Sequence, residues 1–144
     1  MKVKLVNQSP YPAPAYTTPG SAGMDIRANI EAPMMLRSQE RIRIPTGLFI
    51  QLPPGYEAQV RPRSGLALTF GVTVLNAPGT IDSDYTGEIQ VLLINHSPED
   101  YTIQPGERIA QLVVGPYIAV EWEETAQLEE TERGVNGFGS SGTL

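Results

Sequence analysis

Asp82, Asp84 and Glu88 bracket an aromatic, Tyr85, inside the stretch Asn76-Ala-Pro-Gly-Thr-Ile-Asp-Ser-Asp-Tyr-Thr-Gly-Glu88. Acidic residues beside an aromatic suggest a site, and proton transfer is the chemistry that carboxylates bring to one. Taken alone, Asp and Ser between two apolar runs also make turns. The rest of the chain weighs the two readings against each other.

The chain has no cysteine, which removes disulfides, thiolate metal sites and a cysteine nucleophile. His96 is the only histidine and precedes Ser-Pro in a turn-like setting, with nothing nearby to complete a Ser-His-Asp triad. Chemistry near neutral pH therefore rests on carboxylates, amides, hydroxyls, arginines or a metal ion brought by the substrate. The formal net charge of −6 opposes general nucleic-acid binding. Of the ten basic residues, only Lys2 and Lys4 are lysines. Arginine offers a planar fork of donors matched to phosphate, so an acidic protein with placed arginines remains able to hold a small phosphorylated ligand.

Four further segments carry candidate chemistry. Ala22-Gly-Met-Asp-Ile-Arg-Ala28 sets Asp25 in a strand-like run after a glycine turn. In Arg61-Pro-Arg-Ser-Gly-Leu-Ala67, Arg63, the hydroxyl of Ser64 and the amide of Gly65 open a short helix, an arrangement suited to phosphate. Gly106-Glu-Arg-Ile-Ala-Gln-Leu112 turns into a strand carrying Gln111, either a satisfied core amide or a group aimed at a ligand. Near the C-terminus, Arg133-Gly-Val-Asn-Gly-Phe-Gly-Ser-Ser-Gly142 combines a guanidinium, an aromatic face and a glycine-rich backbone.

The elements that must position these groups are strands. Thirteen prolines and fourteen glycines leave little room for long helices in 144 residues, a length suited to one domain. Strands are expected at Lys2 to Val6, Arg41 to Ile44, Leu48 to Leu52 and Tyr56 to Val60, by their alternation. Val72 to Leu75 and Ile89 to Ile94 are expected to pair as a hairpin around the Asn76–Glu88 stretch. Ile89 to Ile94 and Ile109 to Val114 are apolar on both faces apart from Gln90 and Gln111, the pattern of strands lying deep in a sandwich or against another subunit. The one helical candidate is Gly65 to Phe70, stopped by Gly71. The expected class is an all-β, jelly-roll-like barrel or sandwich with one short helix. After Trp122 the chain turns acidic and then glycine-rich, with too little apolar surface for a core. The expected organisation is a β domain over residues 1–130 and a mobile arm over 131–144. No run is long enough for a membrane span, and Met-Lys-Val-Lys-Leu-Val at the N-terminus is unlike a signal peptide, so a cytoplasmic setting is expected.

Five segments in this order resemble the trimeric dUTP pyrophosphatase (dUTPase) family, whose motifs correspond to Ala22–Ala28, Arg61–Ala67, Asn76–Gln90, Gly106–Val113 and Arg133–Gly142. The departures are mild: Met24 where an aromatic is frequent, Asn136 for Gly and Ser141 for Thr. The resemblance implies a homotrimer whose active sites are shared between chains, hydrolysis of dUTP to dUMP and pyrophosphate, and Mg²⁺ carried on the triphosphate. It thereby implies a role in limiting uracil incorporation into DNA and supplying dUMP for thymidylate synthesis.

The same resemblance implies residue roles. Uracil is read in the stretch from Asn76 through Gly79, Thr80 and Ile81 to Gln90, and Tyr85 packs on the deoxyribose. Asp82 activates water for attack on the α-phosphorus. Arg63, Ser64, Gly65 and Gln111 meet charge on the phosphates, and Asp25 touches the metal only through water or serves assembly. Arg133, Phe138, Gly139, Ser140 and Ser141 close over the substrate from a neighbouring arm, Phe138 stacking on uracil. A related family, the dCTP deaminases, places a catalytic Glu where this chain has Leu92, and leucine does not shuttle protons.

Overall fold

The computed structural model describes residues 1–137. Its strands, in chain order, are β1 (Lys4–Asn7), β2 (Gly23–Arg27), β3 (Met34–Leu36), β4 (Arg41–Gln51), β5 (Tyr56–Arg61), β6 (Val72–Val74), β7 (Gly79–Ile81), β8 (Glu88–Asn95), β9 (Tyr101–Ile103) and β10 (Arg108–Pro116), with one helix, α1 (Ser64–Phe70), between β5 and β6. Two four-stranded sheets, ordered β1-β4-β8-β6 and β2-β10-β5-β7, and the small pair β3-β9 make a β sandwich. This is the all-β class expected from the alternating pattern.

The core lies between the sheets. Ile44 of β4, Ile89, Val91 and Leu93 of β8, Ala58 of β5 and Ile109 of β10 are fully buried. Alternation places them on one face of each strand, and burying a side chain of this size is worth about 1.5–3 kcal/mol. The outer face of β8 carries Gln90, Leu92 and Ile94, which are exposed or half-buried in the single chain.

Arg41–Ile44 and Leu48–Leu52 are not separate strands, contrary to expectation. They belong to one eleven-residue strand, which ends at Gln51, one residue short of the expected Leu52. Pro45 looks like a strand breaker, but the β4–β8 register shifts between Pro45 and Phe49, and a proline without an N–H is tolerated at such an irregularity. The amides freed there bond the Glu88 carboxylate: Thr46 N donates at 3.1 Å and Gly47 N at 2.7 Å, both to Oε1. The hydroxyl of the buried Thr46 donates to Ile89 O at 2.5 Å.

The hairpin expectation is half right. β6 and β8 pair antiparallel, with Val74 opposite Leu93. The connection between them, however, sends β7 into the other sheet, where it pairs with β5. The Asn76–Glu88 stretch therefore bridges the two sheets instead of turning within one.

Helix α1 begins one residue before the expected start and ends at Gly71, whose φ of 66° is a left-handed cap; its N–H bonds Ala67 O at 3.2 Å. The last strand ends at Pro116, and every residue from Pro116 to Asn136 is exposed. Trp122 is 87% exposed.

Candidate functional site

The bridging stretch opens a pocket of about 220 Å³ between β7 and β8. Asn76, Gly79, Thr80, Ile81, Asp82, Tyr85 and Gln90 all line it, so the seven residues of this segment to which the resemblance gives roles share one cavity; Glu88 lines it too, and Asp84 does not. β7 supplies the buried main chain of Gly79 and Ile81, and Thr80 between them is exposed. Gly79 also leaves space for its neighbour: a Cβ there would lie 3.1 Å from Asn76 Nδ2. Asp82 follows directly on β7, is exposed, and accepts at its main-chain oxygen from Tyr85 N at 3.2 Å in the turn that carries the tyrosine. The Tyr85 hydroxyl donates to Glu88 O at 3.0 Å. Gln90 donates to the Glu88 carboxylate at 3.0 Å. Chemically, the pocket offers main-chain polar groups for a flat heterocycle, an aromatic wall, and a solvent-facing carboxylate at its rim.

A second constellation gathers around Asp25 on β2. Arg63, the residue before α1, donates through Nε to Oδ1 at 3.0 Å; Arg108 donates through Nη1 to Oδ2 at 3.1 Å. Gln111 sits opposite Asp25 in the β10–β2 register and donates to Oδ1 at 3.4 Å. It is half-buried and partnered by a carboxylate, as the reading of a satisfied amide requires. Arg63 also donates to Arg108 O at 3.1 Å. Ser64 and Gly65 are exposed at the start of α1, where first-turn amides have no partner within the helix. Two guanidinium groups on one carboxylate leave a local excess of positive charge, which suits a polyphosphate. Arg108 belongs to a segment singled out from the sequence but was not itself assigned a role. The β10–β2 register shifts between Arg108 and Ala110, and simple alternation does not bring its side chain to Asp25.

None of Asp25, Arg63, Ser64, Gly65 or Gln111 lines the pocket of the same chain. Both Asp25 oxygens are engaged by arginine, and among the described residues no cluster of three or more His, Cys, Asp or Glu is set to hold a metal ion. A resident Mg²⁺ held directly by protein carboxylates does not fit this donor set. Arg133 donates through Nε to Asn136 O at 3.0 Å in a turn of its own. Phe138, Gly139, Ser140 and Ser141 lie outside the described residues. No helix among the described residues is long and apolar enough to cross a membrane.

Fold and site together define a β-sandwich protein with a small polar pocket between its sheets and a separate arginine-rich cluster. The dUTPase family model matches residues 9–142. Deoxyuridine 5'-triphosphate nucleotidohydrolase of Fusobacterium nucleatum is 52% identical over 142 residues, spanning 99% of this chain and 97% of the relative. The protein of the same name from Finegoldia magna is 50% identical, with 99% of each chain covered. Among solved structures, Staphylococcus bacteriophage 80alpha dUTPase with dUPNHPP superposes with a TM-score of 0.89 at 26% identity, covering 99% of both chains. The chain belongs to the dUTPase family.

Proposed function

We propose that this protein hydrolyses dUTP to dUMP and pyrophosphate, as a dUTP diphosphatase whose base-reading pocket is the cavity between β7 and β8. The observation that carries this reading is the convergence of Asn76, Gly79, Thr80, Ile81, Asp82, Tyr85 and Gln90 on that cavity. Main-chain groups of β7 and the start of β8 read the uracil edge. A slot of this size disfavours the extra methyl of thymine, and fixed backbone donors and acceptors disfavour cytosine. Tyr85 is the wall against the deoxyribose. Asp82, at the rim, takes a proton from the water that attacks the α-phosphorus, and pyrophosphate leaves on the opposite side.

The phosphates need positive charge that the pocket itself lacks. We assign it to Arg63, Ser64, Gly65 and Gln111 of a neighbouring chain, with Asp25 holding the guanidinium groups in register. The separation of the two constellations within one chain supports a site assembled between chains in a homotrimer. The C-terminal arm, from about residue 131, brings Arg133, Phe138, Gly139, Ser140 and Ser141 over the substrate as a cover that excludes water. Mg²⁺ enters as part of the substrate, on the triphosphate, where it offsets phosphate charge. A cytoplasmic setting fits a chain without cysteine.

The test is pyrophosphate release from dUTP, UTP, dCTP and dTTP, each with Mg²⁺, alongside binding of the same nucleotides. Preferential turnover of dUTP is expected. Tight dUTP binding without pyrophosphate release would instead make the protein a nucleotide sensor.

A further inference from the structure

We propose that Gly87 and Glu88 form a seat that fixes Tyr85, making Gly87 a positioning residue for sugar selectivity; this rests on the reading of Tyr85 as the wall against the deoxyribose. Tyr85 is 46% exposed, so burial alone does not hold its ring. Its environment does so in two ways. The hydroxyl donates to Glu88 O at 3.0 Å. The ring also lies against the bare Cα of Gly87, where a Cβ would stand 2.5 Å from the tyrosine oxygen, 2.6 Å from Cζ and 2.9 Å from Cε2. No carbon approaches so closely, so any larger residue at 87 displaces the ring.

Gly87 is not needed for its own backbone. Among the described residues, the glycines with positive φ are Gly47, Gly55, Gly71, Gly106 and Gly134, and Gly87 is not one of them. Its φ is one an alanine adopts, and the three atoms nearest to a Cβ there all belong to the tyrosine.

The other half of the seat is held from outside the turn. The carboxylate of Glu88 accepts from the amides of Thr46 and Gly47 at 3.1 and 2.7 Å and from Gln90 Nε2 at 3.0 Å. The carbonyl that receives the tyrosine hydroxyl therefore belongs to a residue pinned to the β4 irregularity in the same sheet. A steric wall rejects an added hydroxyl only while it stays in place, and rejection of this kind reaches about a hundredfold. Releasing Tyr85 removes that discrimination without touching the base-reading main chain of β7.

The experiment is a double-mutant cycle read as the ratio of kcat/KM for dUTP to that for UTP, in the full-length assembled protein. Gly87→Ala is expected to lower the ratio at least about tenfold, and Tyr85→Ala to lower it at least as far. In the Tyr85→Ala background, Gly87→Ala is expected to change the ratio less than about twofold, because no ring remains to displace. A Gly87→Ala protein that keeps the wild-type ratio, or one that loses the same factor in both backgrounds, overturns the seat. If Tyr85→Ala itself leaves the ratio intact, the sugar-wall reading fails first and takes the seat with it. Should Gly87→Ala fail to fold, recovery of folding in Gly87→Ala/Tyr85→Ala shows the clash directly, and failure of both variants overturns the proposal.

Discussion

Arg63 donates through Nε to Oδ1 of Asp25 at 3.0 Å, and this bond ties the residue preceding α1 to the middle of β2. The side chains are 26% and 18% exposed, so the pair is partly shielded from water. Arg108 closes on the other oxygen from a more exposed position, where screening weakens its contribution. Replacing Asp25 with Asn removes the charge that holds both guanidinium groups. The expected cost is about 1–2 kcal/mol of stability, within the range for a hydrogen bond to a charged group after allowance for partial exposure. Urea titration checks this, and an unchanged midpoint with an unchanged slope removes Asp25 from its positioning role. Activity is expected to fall as well, through a raised KM, since the arginines lose their register toward the phosphates.

Among the described residues, the Asp82 side chain has no hydrogen-bond or ion-pair partner comparable to these. Its side chain is exposed and follows β7 directly, so Asp82→Asn is close to isosteric and leaves the pocket lining in place. If Asp82 is the general base, that variant binds dUTP about as well as the parent and turns over at least about a hundredfold more slowly. Equilibrium binding and single-turnover rates separate the two effects. Near-normal turnover removes Asp82 from the mechanism.

The strands are largely legible in the sequence because alternation is a local signal. Tyr56, Ala58 and Val60 declare one face of β5, and Ala58 and Val60 are indeed buried. What is lost is whatever depends on irregular pairing. Pro45 hides the continuity of β4, since the β4–β8 register shift that accommodates it depends on a partner strand far along the chain. β7 is only Gly79 to Ile81, too short for any periodicity, and its pairing with β5 is set by tertiary contact. The pocket residues from Asn76 to Gln90 are legible because they fall in one stretch that matches a family motif, whereas Val60 of β5, which also lines the pocket, gives no such signal. Glu88 shows in the sequence only as one of three acids around Tyr85, and Gly87 not at all, because a clamp on the Thr46 and Gly47 amides, and a close approach to a ring, leave no trace in spacing.

The arm offers a test of shared sites. From Pro116 to Asn136 the chain is exposed and adds nothing to the core, so deleting residues 133–144 is expected to leave a folded, assembled protein with little activity. Analytical ultracentrifugation and dUTP turnover read the two outcomes separately. Loss of folding or assembly on truncation contradicts the reading of the arm as a cover. Co-refolding the truncated chain with the Asp82→Asn chain is expected to recover part of the activity, because some assembled sites then combine an intact base with an intact arm. No recovery above the two parents counts against sites shared between chains.

Tyr101 on β9 provides a pH signature of the turn that leads into Arg108. Its hydroxyl donates to the Glu107 carboxylate, and its ring packs on Phe70 with centroids 4.9 Å apart, joining the end of α1 to this turn. Burial, reinforced by the hydrogen bond and the negative charge of Glu107, pushes the phenol well above its ordinary value of 10.0, against a smaller opposing pull from the Arg63 charge. The folded state thus keeps a proton that the unfolded state releases. Stability from this source is fully present below pH 10.0 and declines as the pH rises beyond it. Tyr101→Phe removes both the bond and the titration. The variant is expected to be less stable than the parent by about 1–2 kcal/mol near neutrality, and the gap is expected to narrow as the solution is made more alkaline than pH 10.0. The substitution removes only the Tyr101 hydroxyl, so the difference between two denaturant series isolates that group; a gap that stays constant across that alkaline range contradicts the assignment.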